Sequence, residues 1–331
     1  MKTIRWGIIG LGAIANDFAS DLNRVSGTVI QGVASRSSTK AKDFAKKHKA
    51  LKSYDSYEDL LADTNVDVVY IATPHHLHLE WTLKALKAKK AVLCEKPLGV
   101  NAHQVKQMMT AAQSEKVFLM EALWTRFNPT MEEVLKKLKT NPIGKLRLLK
   151  ADFCFHALDQ SPEHRIFNLD LAGGSILDIG IYPVFLAYIL FGKPQEIKAY
   201  SQFHQGGSEL QTSVLLNYQD CQAQLFSSFA FRSEMKARIY GEKGQLCIDA
   251  DWFQSDSYRL LTGEGEQVYN HPKKGIGFCH EIEAVNTALR NSKIEEARWT
   301  LQNSLELIEI LDEIRNQVGA VYDFEKLYSD L

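Results

Sequence analysis

A chain of 331 residues is long for one domain and comfortable for two. Its content of 45% apolar and 24% charged residues excludes a disordered chain, and a formal net charge of -1 gives no global attraction to nucleic acid or to an anionic membrane, so neither is expected as a partner. The five cysteines (Cys94, Cys154, Cys221, Cys247 and Cys279) are scattered, odd in number and without a CxxC pair, which excludes a disulfide framework and suits a reducing cytoplasm. The opening MKTIRWGIIGLGAIANDF sets a basic residue before an apolar run, but Gly10, Gly12, Asn16 and Asp17 break that run, against a secretory signal. No stretch is read as reaching the roughly 18 apolar residues of a membrane span.

From the start, short apolar runs of β type alternate with amphipathic stretches of helical spacing. Strands are predicted at 4–9, 28–34, 66–72, 91–94 and 117–121, and helices at 14–22, 39–47, 77–87 and 102–113, with Asn101 as an N-cap. This alternation predicts βαβ units and a doubly wound parallel sheet covered on both faces. The pattern then changes. Strands are predicted at 146–155, 195–203, 209–217, 222–231, 235–240, 245–249 and 257–261, with hairpin turns in YGEKGQ (240–245) and TGEGEQ (262–267). A helix at 176–190 precedes most of these strands, and helices at 277–291 and 300–318 follow them. The expectation is α/β plus α+β: a nucleotide-binding domain over residues 1–122, with its boundary near 121–128, and a mostly antiparallel sheet domain over residues 123–331.

The segment IRWGIIGLGAIA carries Gly10, Gly12 and Ala15 in GxGxxA spacing between the first strand and the first helix. Gly10 suits a tight turn, Gly12 leaves room for a pyrophosphate, and Ala15 allows close helix packing. The free amides of Ala13 and Ile14 at the helix start face the phosphates. The second strand ends VASRSS. Where an NAD-binding chain usually places an acidic residue for the ribose, this one has Ser35 and Arg36, with Lys40 behind, which favours the 2′-phosphate of NADP over NAD. Arg36 stacked on the adenine, or merely solvated, is the alternative.

IATPHHLH (71–78) ends the next long strand. Thr73 and Pro74 are placed beside the nicotinamide half of the cofactor, and His78 helps to shape its pocket. His75, His76 and His78 lack a Cys or carboxylate at ligand spacing, so no metal is expected. In LCEKPLG, Glu95 and Lys96 emerge at a strand end, where open α/β sheets bind ligands. A desolvated lysine there could shuttle a proton while hydride moves, Glu95 could orient it or hold the cofactor, and Lys-Pro permits a cis peptide. A surface ion pair is the competing possibility. In GGSILDIGIYP, Asp178 and Tyr182 stand at i and i+4 and could share one face toward substrate, or serve as a dipole-facing carboxylate and a core tyrosine. In EALWTRFNP, Trp124 and Arg126 follow the last strand of the first domain, at the expected crossover between domains; lining the substrate site and packing the crossover are both open.

Together these motifs resemble the Gfo/Idh/MocA oxidoreductases over nearly the whole chain. AVLCEKPLGVNA, EALWTRFNP and GGSILDIGIYP are closest to its branch of dimeric dihydrodiol dehydrogenases and NADP-dependent D-xylose dehydrogenases. The resemblance implies a Rossmann domain, a C-terminal domain with an open sheet that commonly forms the subunit interface, and Lys96 with Asp178 as the catalytic pair. Trp124, Phe153 and Tyr182 would lie in the substrate pocket. Many members carry histidine where this chain has Tyr182, which leaves Lys96 or Tyr182 as proton donor. The expected activity is NADP-dependent hydride transfer at a hydroxyl or carbonyl carbon of a small polyol, sugar or cyclic diol. An NAD-dependent glycoside hydrolase and a non-enzymatic NADP(H) sensor are the alternatives. Leu225, Phe229 and Phe231 are read as exposed apolar positions on the sheet, favouring a homo-oligomer.

Overall fold

Six parallel strands open the chain in a computed structural model that describes residues 2–326. They are β1 (Ile4–Ile9), β2 (Thr28–Ala34), β3 (Lys52–Tyr54), β4 (Val68–Ile71), β5 (Ala91–Glu95) and β6 (Leu119–Ala122), in the order β3-β2-β1-β4-β5-β6. The helices between them are α1 (Ala13–Leu22), α2 (Ser38–His48), α3 (Tyr57–Ala62), α4 (His78–Lys87) and α5 (Ala102–Glu115). The apolar runs of β1, β4 and β5 are almost wholly buried, as a sheet covered on both faces requires. Strand order reverses between β1 and β4, which is where such sheets bind nucleotides. Asn101 caps α5, its side chain accepting from the Gln104 amide at 3.0 Å. β3 and α3 escape the sequence pattern because one has three residues and the other six.

The chain divides into two compact units, 1–127 with 274–305, and 128–273 with 306–331. This differs from a single boundary after residue 122. The chain returns to the first unit with α8 (Cys279–Arg290), whose apolar face is buried there, and α9 (Leu301–Val318) runs from the first unit into the second. Asp21, fully buried at the end of α1, holds the returning segment. Its carboxylate accepts from the amides of Ile276, Gly277 and Phe278 at 2.9–3.0 Å.

The second unit holds an eight-stranded sheet in the order β14-β13-β12-β11-β7-β10-β9-β8. Its strands are β7 (Leu146–Cys154), β8 (Glu196–Phe203), β9 (Glu209–Asn217), β10 (Gln222–Ser228), β11 (Ala237–Gly241), β12 (Gly244–Ile248), β13 (Ser257–Thr262) and β14 (Gly265–Asn270). All pairings are antiparallel except β7 with β10. Both predicted hairpins form. β14 was not expected, because its polar, largely exposed edge sequence GEQVYN lacks an apolar face. α6 (Pro129–Lys139) was also missed, although Asn128 caps it and Pro129 starts it.

A π-helical turn, Ile176–Gly180, leads into α7 (Ile181–Phe191), and both pack on one face of this sheet. Contrary to the sequence reading, the stretch Leu169–Phe191 is long and apolar enough to cross a membrane by length and composition. However, 83% of its most apolar window is buried inside the protein, as expected of a core helix apolar on all sides. Leu225 and Phe229 also need correction. They are 4% and 0% exposed because they point to the covered face, and Phe231 alone of the three is exposed.

Glu209 is buried beneath this face, and burial pushes its carboxyl from 4.5 up to about 7 against the opposing pull of Arg315. The native state therefore holds this proton more tightly than the unfolded chain. That contribution to stability is full below about 4.5 and lost as pH rises through about 7. Glu209→Gln should abolish this dependence. The stability difference between variant and wild type, from urea unfolding, is expected to move by up to about 3 kcal/mol in the variant's favour between roughly pH 4 and pH 8. A difference that stays flat with pH would show that Glu209 does not titrate there.

Candidate functional site

Gly10 ends β1 with φ +85°, a conformation that favours glycine, and a Cβ on it would lie 2.5 Å from the Ala72 carbonyl. The first βα turn is thereby pressed against the end of β4, at the reversal of strand order. Gly12 caps α1 in extended conformation with no side chain over the helix end, and a Cβ there would meet nothing within 4 Å. Ala13 and Ile14 form the exposed first turn, while Ala15 is fully buried. At the end of β2, Ser35 is buried and its hydroxyl accepts from the Ser37 amide at 3.2 Å, shaping the turn. Ser37 caps α2 by accepting from the Lys40 amide, and the side chains of Arg36 and Lys40 are exposed.

Thr73 lies just past β4 with its hydroxyl buried and without a hydrogen-bond partner in the protein. Pro74 precedes a 3-10 turn, His75–Leu77. His78, fully buried at the start of α4, ties this loop to the one after β5. Its Nε2 lies 2.9 Å from the Thr73 carbonyl and its Nδ1 2.8 Å from that of Pro97. Burial pushes the imidazole down to about 4 against these two carbonyls, so at neutral pH it carries one N–H. Among the described residues, no group of three His, Cys, Asp or Glu side chains is arranged to hold a metal ion.

Glu95 ends β5 buried, and Lys96 follows half-buried, with the Lys96–Pro97 peptide cis. The Tyr70 hydroxyl donates to Glu95 Oε1, and the Lys96 amide donates to Oε2 at 3.2 Å. Burial raises the Glu95 carboxyl, opposed by these two bonds and by the charge of Lys96. Two supporting carboxylates were not anticipated. Glu121 on β6 accepts from the Leu98 amide at 2.8 Å and from the Trp299 indole at 3.0 Å, so it fixes the far side of the EKPLG loop. A signal for it exists: LMEA repeats the pattern of LCEK on the neighbouring strand, a carboxylate closing an apolar run. Glu281 on α8 is fully buried, its oxygens lack hydrogen-bond partners, and burial followed by the charge of Glu95 pushes its carboxyl well above the usual range. Nothing local to its sequence marks it.

Trp124 is buried and stacked on Phe278 at 4.7 Å, and Arg126 Nε donates to the Arg298 carbonyl at 3.0 Å. These contacts lie within the first unit and pack its returning segment. In the second unit, Asp178 sits on the π-turn, a widened turn frequent at functional sites. It is 6% exposed and paired with the exposed Arg165 at 3.1 Å. Tyr182 lies one turn on, its ring 5.3 Å from Phe153 and 5.5 Å from Phe253, which stack on each other at 4.3 Å. Arg165 comes from an irregular segment and Phe253 from a single 3-10 turn, Trp252–Gln254, too short for a periodic pattern to reveal it.

The first unit thus presents a glycine-opened helix end, a buried unpartnered hydroxyl and a lysine, all at strand ends around the reversal of order. A dinucleotide fits these features: its pyrophosphate at Gly12 and the α1 amides, its nicotinamide toward Thr73. Comparison with known proteins agrees. The family model described as "Oxidoreductase family, NAD-binding Rossmann fold" matches residues 4–123, and the GFO/IDH/MocA C-terminal domain matches 131–247. The trans-1,2-dihydrobenzene-1,2-diol dehydrogenase of Mus musculus is 38% identical over 336 residues, covering 98% of this chain and 99% of the relative. That of Homo sapiens is 34% identical with the same coverage. Among solved structures, the 3-ketoreductase KijD10 of Actinomadura kijaniata, in complex with NADP and TDP-benzene, is 26% identical with a TM-score of 0.87, covering 96% of this chain and 98% of that one. An aldose-aldose oxidoreductase of Caulobacter crescentus shares the fold at 22% identity, a TM-score of 0.87 and the same coverage. The chain belongs to the GFO/IDH/MocA oxidoreductase family.

Proposed function

We propose that the protein is an NADP-dependent dehydrogenase or reductase that interconverts a hydroxyl and a carbonyl on a small polyol, sugar or cyclic diol. The observation that carries this is Lys96 at the end of β5, beside β4 and its unpartnered Thr73 hydroxyl. Nicotinamide, when bound, supplies or accepts the hydride. Gly12 and the amides of Ala13 and Ile14 bind the pyrophosphate. Arg36 and Lys40 meet the 2′-phosphate, with a bidentate guanidinium suited to it. Glu95 and His78 fix the Lys96 backbone, and Lys96 gives or takes the proton at the substrate oxygen. Asp178 orients the substrate and Tyr182 assists, with Phe153, Trp124 and Arg126 as further substrate contacts. That relatives are named as diol dehydrogenases and a ketoreductase supports the substrate class.

A screen of polyols, aldoses and cyclic diols with both nucleotides, read by nicotinamide absorbance, tests this. The expected result is turnover of at least one class with NADP and tighter binding of NADP than NAD. Equal or tighter NAD binding would remove the role given to Arg36. Product without net absorbance change would indicate a hydrolase, and nucleotide binding without turnover a sensor.

The uncovered face of the second unit's sheet supports a homo-oligomer. Across β8, β9, β10 and β7, Tyr200, Ser213, Phe226 and Asp152 lie in one register row, and Lys198, Leu215, Gln224 and Lys150 in the next. Tyr200 is 74% exposed and Leu215 36%. Sedimentation is expected to show a dimer or larger species, and a monomer at micromolar concentration would remove this part of the proposal. The described cysteines are free thiols, which supports a cytoplasmic location.

A further inference from the structure

The turn that carries Asp178 begins at two glycines packed as a corner. The Asp178 amide donates to the Gly174 carbonyl at 3.3 Å, and the Gly174 amide donates to that of Ile166 at 2.9 Å. A Cβ on Gly173 would lie 2.6 Å from the carbonyl of Arg165, the residue whose side chain pairs with Asp178. The outer side of this corner is closed by a residue far along the chain. Tyr322 is 1% exposed, and its hydroxyl donates to the Gly173 carbonyl at 3.2 Å, with that of Ala172 at 3.4 Å.

Tyr322 is itself held in place. The Arg315 guanidinium lies 4.4 Å from its ring centroid, and Arg315 is buried and bound through its two terminal nitrogens to Glu325. Glu325 also accepts from the Tyr322 amide at 3.2 Å. Burial, followed by the charge of Glu209, holds the phenol well above its usual range, against the opposing pull of Arg315.

We propose that Tyr322 is a positioning residue for Asp178, acting through the corner of Gly173 and Gly174. The segment after α9 thereby sets the geometry of a substrate-binding carboxylate. The inference rests on the reading that Asp178 acts on substrate.

Tyr322→Phe removes only the hydroxyl. On the full chain, kcat is expected to fall about fivefold, the size of one neutral hydrogen bond, with the NADP dissociation constant near wild type and the thermal midpoint lower by only a few degrees. Combined with Asp178→Asn, the second substitution should add little further loss, since both act on one group. A variant with wild-type kcat, or losses that multiply independently, would overturn the proposal. If Asp178→Asn alone leaves activity intact, the reading of Asp178 fails first and separately. Should Tyr322→Phe not fold, Glu325→Gln loosens the same support from a more exposed position. It should lower kcat about twofold and speed amide exchange around residues 173–178, and wild-type values of both would overturn the proposal.

Discussion

Exchange of Lys96 for Met is expected to lower turnover by about 10² or more while leaving NADP affinity close to wild type. The loop that presents Lys96 is held through its backbone by three neighbours. Glu95 accepts the Lys96 amide, His78 lies between the Pro97 and Thr73 carbonyls, and Glu121 accepts the Leu98 amide. Met keeps the length and the apolar stem of the side chain, so these backbone contacts should persist while the proton donor is lost. Turnover by nicotinamide absorbance, with nucleotide binding by fluorescence, separates the two effects. A variant that keeps most of its activity would pass the proton-transfer role to Tyr182.

Asp21→Ala should produce the largest loss of stability of any single substitution named here. One fully buried carboxylate accepts three consecutive amides, those of Ile276, Gly277 and Phe278, a nest closed around an anion. Removing it strands those donors, two of them in buried bonds, at a cost of about 4 kcal/mol. Asp21→Asn keeps an oxygen acceptor and should lose roughly half as much. Denaturant unfolding of the two variants checks this. A midpoint for Asp21→Ala within error of wild type would mean that the segment is held by apolar contacts of Phe278 instead.

The parallel sheet was legible because its strands are apolar runs and its helices are periodic. The GxGxxA turn and EKP motif were legible because strand-end chemistry is local. What escaped depends on distant pairs. Asp21 meets residues some 255 positions away, and Tyr322 meets Gly173 across 149. Each reads locally as an ordinary helix or tail residue, as does Glu281. Leu225 and Phe229 were placed on the wrong face because alternation tells which residues share a face but not which face is covered. Leu169–Phe191 was underrated because Asp170 and Asp178 interrupt it, one at its start and one near its middle.

The return of 274–305 to the first unit also sets an order of events during synthesis. The nucleotide-binding half cannot be finished when its last strand, β6, leaves the ribosome, because α8 and Trp299, the partner of Glu121, are not yet made. They arrive about 180 residues later, on the order of ten to thirty seconds at ordinary elongation rates. Through that interval Phe18 lacks the edge of Phe278, and Asp21 lacks its amides. The nascent sheet must wait with part of its surface bare. For the same reason, the sheet domain cannot be exchanged between relatives as one contiguous cassette, since any cut at residue 127 leaves the nucleotide-binding half without its closing pieces.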